Sequence, residues 1–194
     1  MASNTKLKNV KRRDLLVQWI MLEYRGQQIR ETDEPYFSHI LAVAEMSVDG
    51  GVVCYEIGLC HDLLEDTAVT SEILNDALRN CGYKKADRKH IVDCVVELTD
   101  KFTKKLYPNL RKSERKEKEA NRLLKIQPDA QTVKYADLIY NTNWVLEHDK
   151  KGARKYLIKK LSLLKNLDQG DHALRKKAIK LLNNALNSIN EEHK

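Results

Sequence analysis

The sequence lacks the features that mark a secreted, membrane-embedded or disulfide-stabilised protein. It contains no run of 18 apolar residues, so no membrane-spanning segment is expected. The polar, basic start "MASNTKLKNVKRRD" lacks the apolar stretch of a secretory signal. No CxxC pair occurs among the four cysteines, Cys54, Cys60, Cys81 and Cys94. We therefore predict a cytoplasmic protein with reduced cysteines, of which Cys54, Cys60 and Cys94 are small core residues.

Glycine and proline, which interrupt helices, are also scarce, with 7 and 3 residues in a chain of 194. Apolar residues recur at steps of three and four almost throughout, and no alternating strand pattern extends beyond a few residues. With 42% hydrophobic residues the chain can bury a substantial core. The expected structure is an all-α, single compact multi-helix domain spanning residues 1–194, with about eight or nine helices.

Local signals place the helix boundaries. Pro35 suits the first turn of one helix, and Thr70 or Ser71 can cap another. We predict continuous helices over residues 52–66 and 87–102, and an exposed, charged helix over 111–126. Two further helices are expected after Gly152 and Gly170.

The net charge of +7 lies entirely in the last quarter of the chain. Residues 151–194 contain 11 Lys and Arg against 4 Asp and Glu, whereas residues 1–150 carry 24 of each sign. A basic region of this kind can bind nucleic acid or an acidic partner. It lacks interleaved aromatic residues and any recognition motif, so amphipathic helices with lysine-rich solvent faces are the preferred interpretation, and neither nucleic acid nor a membrane is expected as a partner. A homo-oligomer is left open.

The stretch "GLCHDLLEDT" places one histidine and three carboxylates directly after an apolar run. On a continuous helix His61 stacks over Glu65, and Asp62 over Asp66. Carboxylates crowded at the edge of a core repel one another and resist ionisation unless a cation neutralises them. This pattern suggests a divalent metal site, although a solvated acidic helix end would also explain it.

Two other segments carry polar side chains in apolar surroundings. His39 lies in "EPYFSHILAVAEM", and Asp137 lies in "VKYADLIYNTNWV", with Asn141 one turn later. A lone histidine of this kind is commonly a hydrogen-bonded core residue, but a buried aspartate needs a partner because an unpaired charge is costly. Together with His61 and Asp62, these residues supply enough ligands to hold a metal.

The order of these residues resembles the H…HD…D signature of HD-domain metal-dependent phosphohydrolases. The resemblance is greatest to the hydrolase domain of RelA/SpoT homologues, in particular to the stand-alone small alarmone hydrolases. It rests on "RETDEPYFSHI", "GLCHDLLEDT", "ELTDKF", "EANRLLKI" and "KYADLIYN", and it spans a motif core over residues 25–145. The basic C-terminal helices over 151–194 lie outside this core.

The resemblance implies a role for each matching residue. His39, His61, Asp62 and Asp137 would hold one divalent metal ion, Mn(II) in that family branch. Glu65 and Asp66 would be catalytic, orienting and deprotonating the attacking water, which a bound metal makes more acidic. Arg30 and Asn141 would contact the nucleotide substrate; separately, Arg25 and Lys134 are candidates for neutralising its phosphates. The implied activity is removal of pyrophosphate from the 3′ position of ppGpp or pppGpp, without synthetase activity.

Several departures from the family pattern surround the expected nucleotide pocket. Glu31 stands where the family often has Lys, Leu138 where it usually has Arg, and Tyr140 where it has His. The metal set is complete, so these changes bear on which nucleotide is used. The alternatives are an HD-domain phosphatase acting on a nucleoside monophosphate or NADPH, and a non-catalytic, metal-stabilised binding module.

Two groups of charged or titratable residues are interpreted as solvent-exposed. The charged stretch "RKSERKEKEANR" is expected to be a solvated helix face. The remaining histidines are expected at the surface because they lack ligand spacing; they are His90, His148, His172 and His193.

Overall fold

The chain forms helices and no strands within the range that the structure describes. The computed structural model describes residues 2–191, with side chains from residue 10 onward. The helices are α1 (Ala2–Glu23), α2 (Tyr36–Ser47), α3 (Cys54–Cys60), α4 (Leu63–Asp66), α5 (Ser71–Asn80), α6 (Lys85–Leu98), α7 (Lys112–Leu123), α8 (Pro128–His148), α9 (Lys150–Asn166) and α10 (His172–Glu191). The predicted all-α class is confirmed.

Two predicted helix starts follow from local chemistry. Pro35 immediately precedes α2, where its missing N–H costs no helical hydrogen bond. The hydroxyl of Thr70 accepts a hydrogen bond from the N–H of Ile73, as an N-cap residue does. Between the two predicted cap candidates, the structure selects Thr70.

Other predicted boundaries are wrong. The helix expected over 52–66 is divided into α3 and α4, which raises the number of helices to ten in the described range. The helix expected over 87–102 ends at Leu98, and the chain continues as an extended loop from Thr99. α9 begins before Gly152, because the side chain of Asp149 accepts the N–H of Gly152 and caps the first turn.

All ten helices contribute to one hydrophobic core. α2 packs against α3 and α8, while α9 and α10 pack against each other and against α8. Cys54, Cys60 and Cys94 are buried, as predicted. None of the described helices combines the length and the apolar character needed to cross a bilayer.

α2 and α3 approach closely because Gly58 has no side chain. A Cβ atom at Gly58 would lie 2.7 Å from the Cα of Ala44, which is closer than real Cβ contacts allow. This contact fixes the distance between α2 and α3. It therefore determines the distance between His39 on one helix and His61 at the end of the other.

Candidate metal centre

His61 and Asp62 form the link between α3 and α4. His61 follows the last residue of α3, and Asp62 has φ −102° and ψ 0°, a conformation outside the regular helix. The N–H groups of Glu65 and Asp66 both bond to the carbonyl of Asp62, which forms the single turn of α4. On an uninterrupted helix adjacent side chains point about 100° apart. The break lets His61 and Asp62 face the same point, with Asp62 Oδ2 3.1 Å from His61 Nε2.

His61 is buried, and its ring is oriented by the backbone. Its Nδ1 lies 2.7 Å from the carbonyl oxygen of Gly58. A carbonyl only accepts, so Nδ1 carries the hydrogen of this bond. Nε2 is buried, and although Asp62 Oδ2 lies 3.1 Å away, the contact does not have hydrogen-bond geometry. A second nitrogen fixed in this way is typical of a metal-ligating histidine.

His39 faces His61 from the neighbouring helix α2. It is 4% exposed, and its ring centroid lies 5.1 Å from that of His61 and 4.5 Å from that of Tyr140. Its Nε2 lies 3.4 Å from Asp62 Oδ2 and 3.8 Å from Asp137 Oδ1. These distances bring the ring to the same point as His61.

Asp137 approaches from α8 and is only 6% exposed. Lys134 Nζ contacts Asp137 Oδ2 at 2.8 Å, while Asn141 donates a hydrogen bond to Oδ1. Burial alone would raise the pKa of the Asp137 carboxyl, but Lys134 and His61 outweigh it and lower the pKa. Asp137 is therefore a buried carboxylate, oriented on both oxygens by its own helix.

The four side chains fit a divalent ion. Ligand atoms of His39, His61 and Asp137 all lie within 4.8 Å of one another, and Asp62 contacts both imidazoles. Metal–ligand bonds of about 2.0–2.2 Å place adjacent ligand atoms roughly 3 Å apart, so an ion would draw together imidazole and carboxylate atoms that lie 3.1 to 4.0 Å from one another. Burial alone lowers the pKa of His61, yet Asp62 and Asp137 raise it to about 9, because the two neighbouring carboxylates favour a positive charge there. A proton or a metal ion can supply that charge.

Glu65 and Asp66 lie on the solvent side of this cluster. Glu65 Oε1 accepts the backbone N–H of Asp100 at 2.5 Å. Desolvation raises the pKa of Glu65 to about 7, assisted by the nearby carboxylates of Asp100 and Asp62. Desolvation and Asp62 likewise raise the pKa of Asp66. Both groups therefore bind protons more tightly than ordinary surface carboxylates do.

The loop that positions Glu65 is held by an ion pair on α7. The carboxylate of Glu119 accepts the N–H groups of Lys101 and Phe102 at 3.0 and 2.9 Å. Arg122 pairs with Glu119 and donates to the carbonyl of Thr99 at 3.1 Å. Glu119 is 9% exposed, so the interpretation of "RKSERKEKEANR" as a wholly solvated face is wrong at this position.

Tyr36 is a site residue that the sequence interpretation missed. Its hydroxyl donates to Asp62 Oδ2 at 2.7 Å, and its ring packs 5.3 Å from that of Tyr24. The hydroxyl of Tyr24 is buried without a hydrogen-bond partner. The available signal was the position of Tyr36 three residues before His39, which places both side chains on one face of α2.

The predicted substrate residues fall into two groups. Lys134 and Asn141 both bond to Asp137, so they orient this buried carboxylate. Arg25 is exposed in the turn after α1. Arg30 is exposed and pairs with Glu31 at 2.9 Å.

The segment carrying Arg30 is attached to α8. Trp144 Nε1 donates to the carbonyl of Arg30 at 3.2 Å. Glu31 has a φ of 63°, which is unfavourable for a residue with a Cβ. Leu138 is 1% exposed, so the position where the family usually has Arg belongs to the core here.

The other histidines do not join the centre. His90 is partly exposed, and its imidazole contacts Asp129 Oδ2 at 2.9 Å. His148 is partly buried against the ring of Trp144, and His172 is exposed. His193 lies outside the described residues.

Comparison with known proteins finds similarity both in sequence and in structure. No family model matches the chain. A segment of 81 residues, 40% of this chain, is 36% identical to the Probable guanosine-3′,5′-bis(diphosphate) 3′-pyrophosphohydrolase of Mycoplasma pneumoniae and spans only 10% of that relative. A metazoan ortholog of SpoT, described as hydrolysing ppGpp and acting in starvation responses, superposes with a TM-score of 0.70 at 20% identity, covering 90% of this chain and 94% of the other. The chain therefore shares the all-helical fold of this SpoT ortholog.

Proposed function

We propose that this chain is a metal-dependent guanosine 3′,5′-bis(diphosphate) 3′-pyrophosphohydrolase. The observation that carries the proposal is the convergence of two buried imidazoles and two carboxylates beside Glu65, a carboxyl group whose pKa is about 7. The activities described for the Mycoplasma protein and the SpoT ortholog support it.

His39, His61, Asp62 and Asp137 would hold one divalent ion, and we assign it as Mn(II). Carboxylates favour Mg²⁺ and Mn²⁺, whereas imidazoles favour transition metals, so a mixed set of two each suits manganese. The ion would act as a Lewis acid that makes water a stronger nucleophile near neutral pH.

The remaining residues of the centre orient and exchange protons. Tyr36 fixes Asp62, while Lys134 and Asn141 fix Asp137, so the ligand carboxylates are already in place. Glu65 accepts the proton of the attacking water, with Asp66 beside it. The water oxygen bonds to the phosphorus at the ribose 3′ oxygen, the P–O3′ bond breaks, and the carboxyl group of Glu65 or Asp66 returns a proton to the 3′ oxygen. The products are GDP and pyrophosphate.

A substrate comparison tests this assignment. Manganese-loaded protein should hydrolyse ppGpp in preference to NADPH and nucleoside monophosphates, and Glu65→Gln should abolish most of that turnover while retaining the metal. Elemental analysis of both proteins provides the control for metal content. A preference of more than about 100-fold in kcat/KM for NADPH or a monophosphate would reject ppGpp as the substrate.

A further inference from the structure

Four lysines on α7 and α9 form a positively charged cluster beside the metal centre. They are Lys116 on α7 and Lys155, Lys159 and Lys160 on α9, and we call them the lysine cluster. Lys116 lies within electrostatic range of the other three. Lys155 and Lys159 are stacked neighbours because they are four residues apart on one helix.

The cluster adjoins the centre through Lys160. The Lys160 side chain is partly buried, and its Nζ lies 5.6 Å from the ring centroid of Tyr156. Both side chains lie within electrostatic range of Asp137, a proposed ligand, and of Lys134. Lys160 is thus a partly desolvated cation at the edge of the site, unlike a lysine on a solvated face.

No lysine of the cluster forms an ion pair within 4.0 Å in the described part of the chain. The lysine ion pairs within 4.0 Å in that part are those of Lys89 with Asp93 and of Lys134 with Asp137. Asp100 is the carboxylate outside the metal centre that acts on both Lys116 and Lys160. Burial and Lys134 lower the pKa of Lys160 to about 8, although Asp137 and Asp100 act in the opposite direction.

Phosphate is the anion that suits this position. An ammonium group is a compact point charge that binds phosphate well. The proposed substrate carries two diphosphate groups, and only the 3′ group reacts at the metal centre. The segment around Arg30 offers limited positive charge to the other, because Glu31 pairs with Arg30.

We propose that the lysine cluster binds the 5′-diphosphate of the nucleotide, which is the phosphate group that is not cleaved. This inference rests on the proposed function for the identity of the nucleotide. It assigns nucleotide-binding residues to two helices, α7 and α9, which carry none of the proposed metal ligands or catalytic carboxylates. It also gives the lysines of α9 a role beyond that of a solvated face.

Binding of GDP tests the subsite without catalysis, since GDP has the 5′-diphosphate and no 3′ phosphate. The variant combines Lys116→Met and Lys160→Met, which keep the length of the side chains and remove two charges. The matched control combines Lys176→Met and Lys180→Met on α10, which remove the same charge from an exposed face. Affinity is measured by calorimetry on the manganese-loaded proteins at fixed salt, with guanosine as the ligand that lacks phosphate.

The cluster variant should bind GDP at least about tenfold more weakly, the usual effect of losing charged hydrogen bonds, whereas the α10 control should bind like wild type. Guanosine binding should not change. The cluster variant should also unfold at a higher temperature without ligand, because mutual repulsion is removed, which separates a binding role from a structural one. Unchanged GDP affinity in a folded cluster variant would overturn the inference.

The outcomes for the subsite and for the proposed function are separable. If ppGpp is hydrolysed but GDP affinity is unaffected in the cluster variant, the subsite is wrong and the function stands. If GDP affinity falls as expected but ppGpp is not hydrolysed, the anion site stands and the proposed function fails.

Discussion

Raising the pH of the metal-free protein removes a proton from His61, and this should destabilise the fold. His61 is 3% exposed, and its pKa is about 9, against 6.5 for a free histidine, because Asp62 and Asp137 outweigh the effect of burial. The folded state therefore holds the proton more tightly than the unfolded state. The contribution of protonated His61 to the free energy of unfolding is fully present below pH 6.5 and is lost as the pH rises through 9.

The magnitude follows from the difference between the two pKa values. Each pH unit between them is worth about 1.4 kcal/mol, so the loss across the window is about 3 kcal/mol. That is a large part of the roughly 5–15 kcal/mol that stabilises a typical domain. A bound metal ion replaces the proton, so the loaded protein should not show this loss, and metal binding below pH 9 should release a proton.

Urea unfolding of wild type and His61→Gln, both in chelator, measures this effect at pH values from 6 to 9.5. The difference between the two proteins isolates His61, because Glu65 and Lys160, which also titrate near this range, are present in both. Wild type should lose about 3 kcal/mol relative to the variant as the pH rises. If the free energy of unfolding of wild type relative to His61→Gln stays constant or increases with pH, His61 is not protonated in the metal-free centre.

Other substitutions test the remaining parts of the centre. Glu65→Gln should lower kcat roughly 10²–10⁴-fold while elemental analysis still finds the metal; loss of the ion would instead make Glu65 a ligand. Tyr36→Phe should weaken Mn(II) binding by about 10–100-fold in a competition titration, because Asp62 loses the group that orients it, and unchanged affinity would count against that role. Arg122→Ala should leave the buried Glu119 unpaired and destabilise the fold by about 3 kcal/mol in urea unfolding. The value of kcat should also fall, because the loop that contacts Glu65 loses its support; unchanged stability would contradict this role of the Arg122–Glu119 pair. Glu31→Asn tolerates the positive φ and frees Arg30, so KM for ppGpp should fall, whereas an unchanged KM would place Arg30 outside the substrate site.

The sequence was sufficient to predict the fold class and most helices, since burial of an apolar face and local caps act over short distances. Pro35 and Thr70 mark helix starts because their chemistry is local to the turn. The break between α3 and α4 could not be predicted in the same way, because positions 61 and 62 are His and Asp and contain no proline or glycine that would interrupt a helix. It appears only when contacts with α2 and α8 are considered.

The candidate metal ligands could be predicted because polar residues on apolar helix faces stand out in the sequence. The residues that orient these candidate ligands were harder to predict from the sequence. Lys134 and Asn141 were predicted to contact substrate, yet both bond to Asp137, one turn or less away. Glu119 lies in a highly charged stretch, and only the three-dimensional position of residues 101–102 explains its burial.

A phosphorus NMR time course of ppGpp hydrolysis tests the central proposal most directly. Protein stripped of metal by a chelator should leave the nucleotide intact, and addition of Mn(II) should produce GDP and pyrophosphate in equal amounts, with no orthophosphate. Equal turnover in the stripped protein, release of orthophosphate, or an intact nucleotide after manganese loading would contradict a metal-dependent 3′-pyrophosphohydrolase.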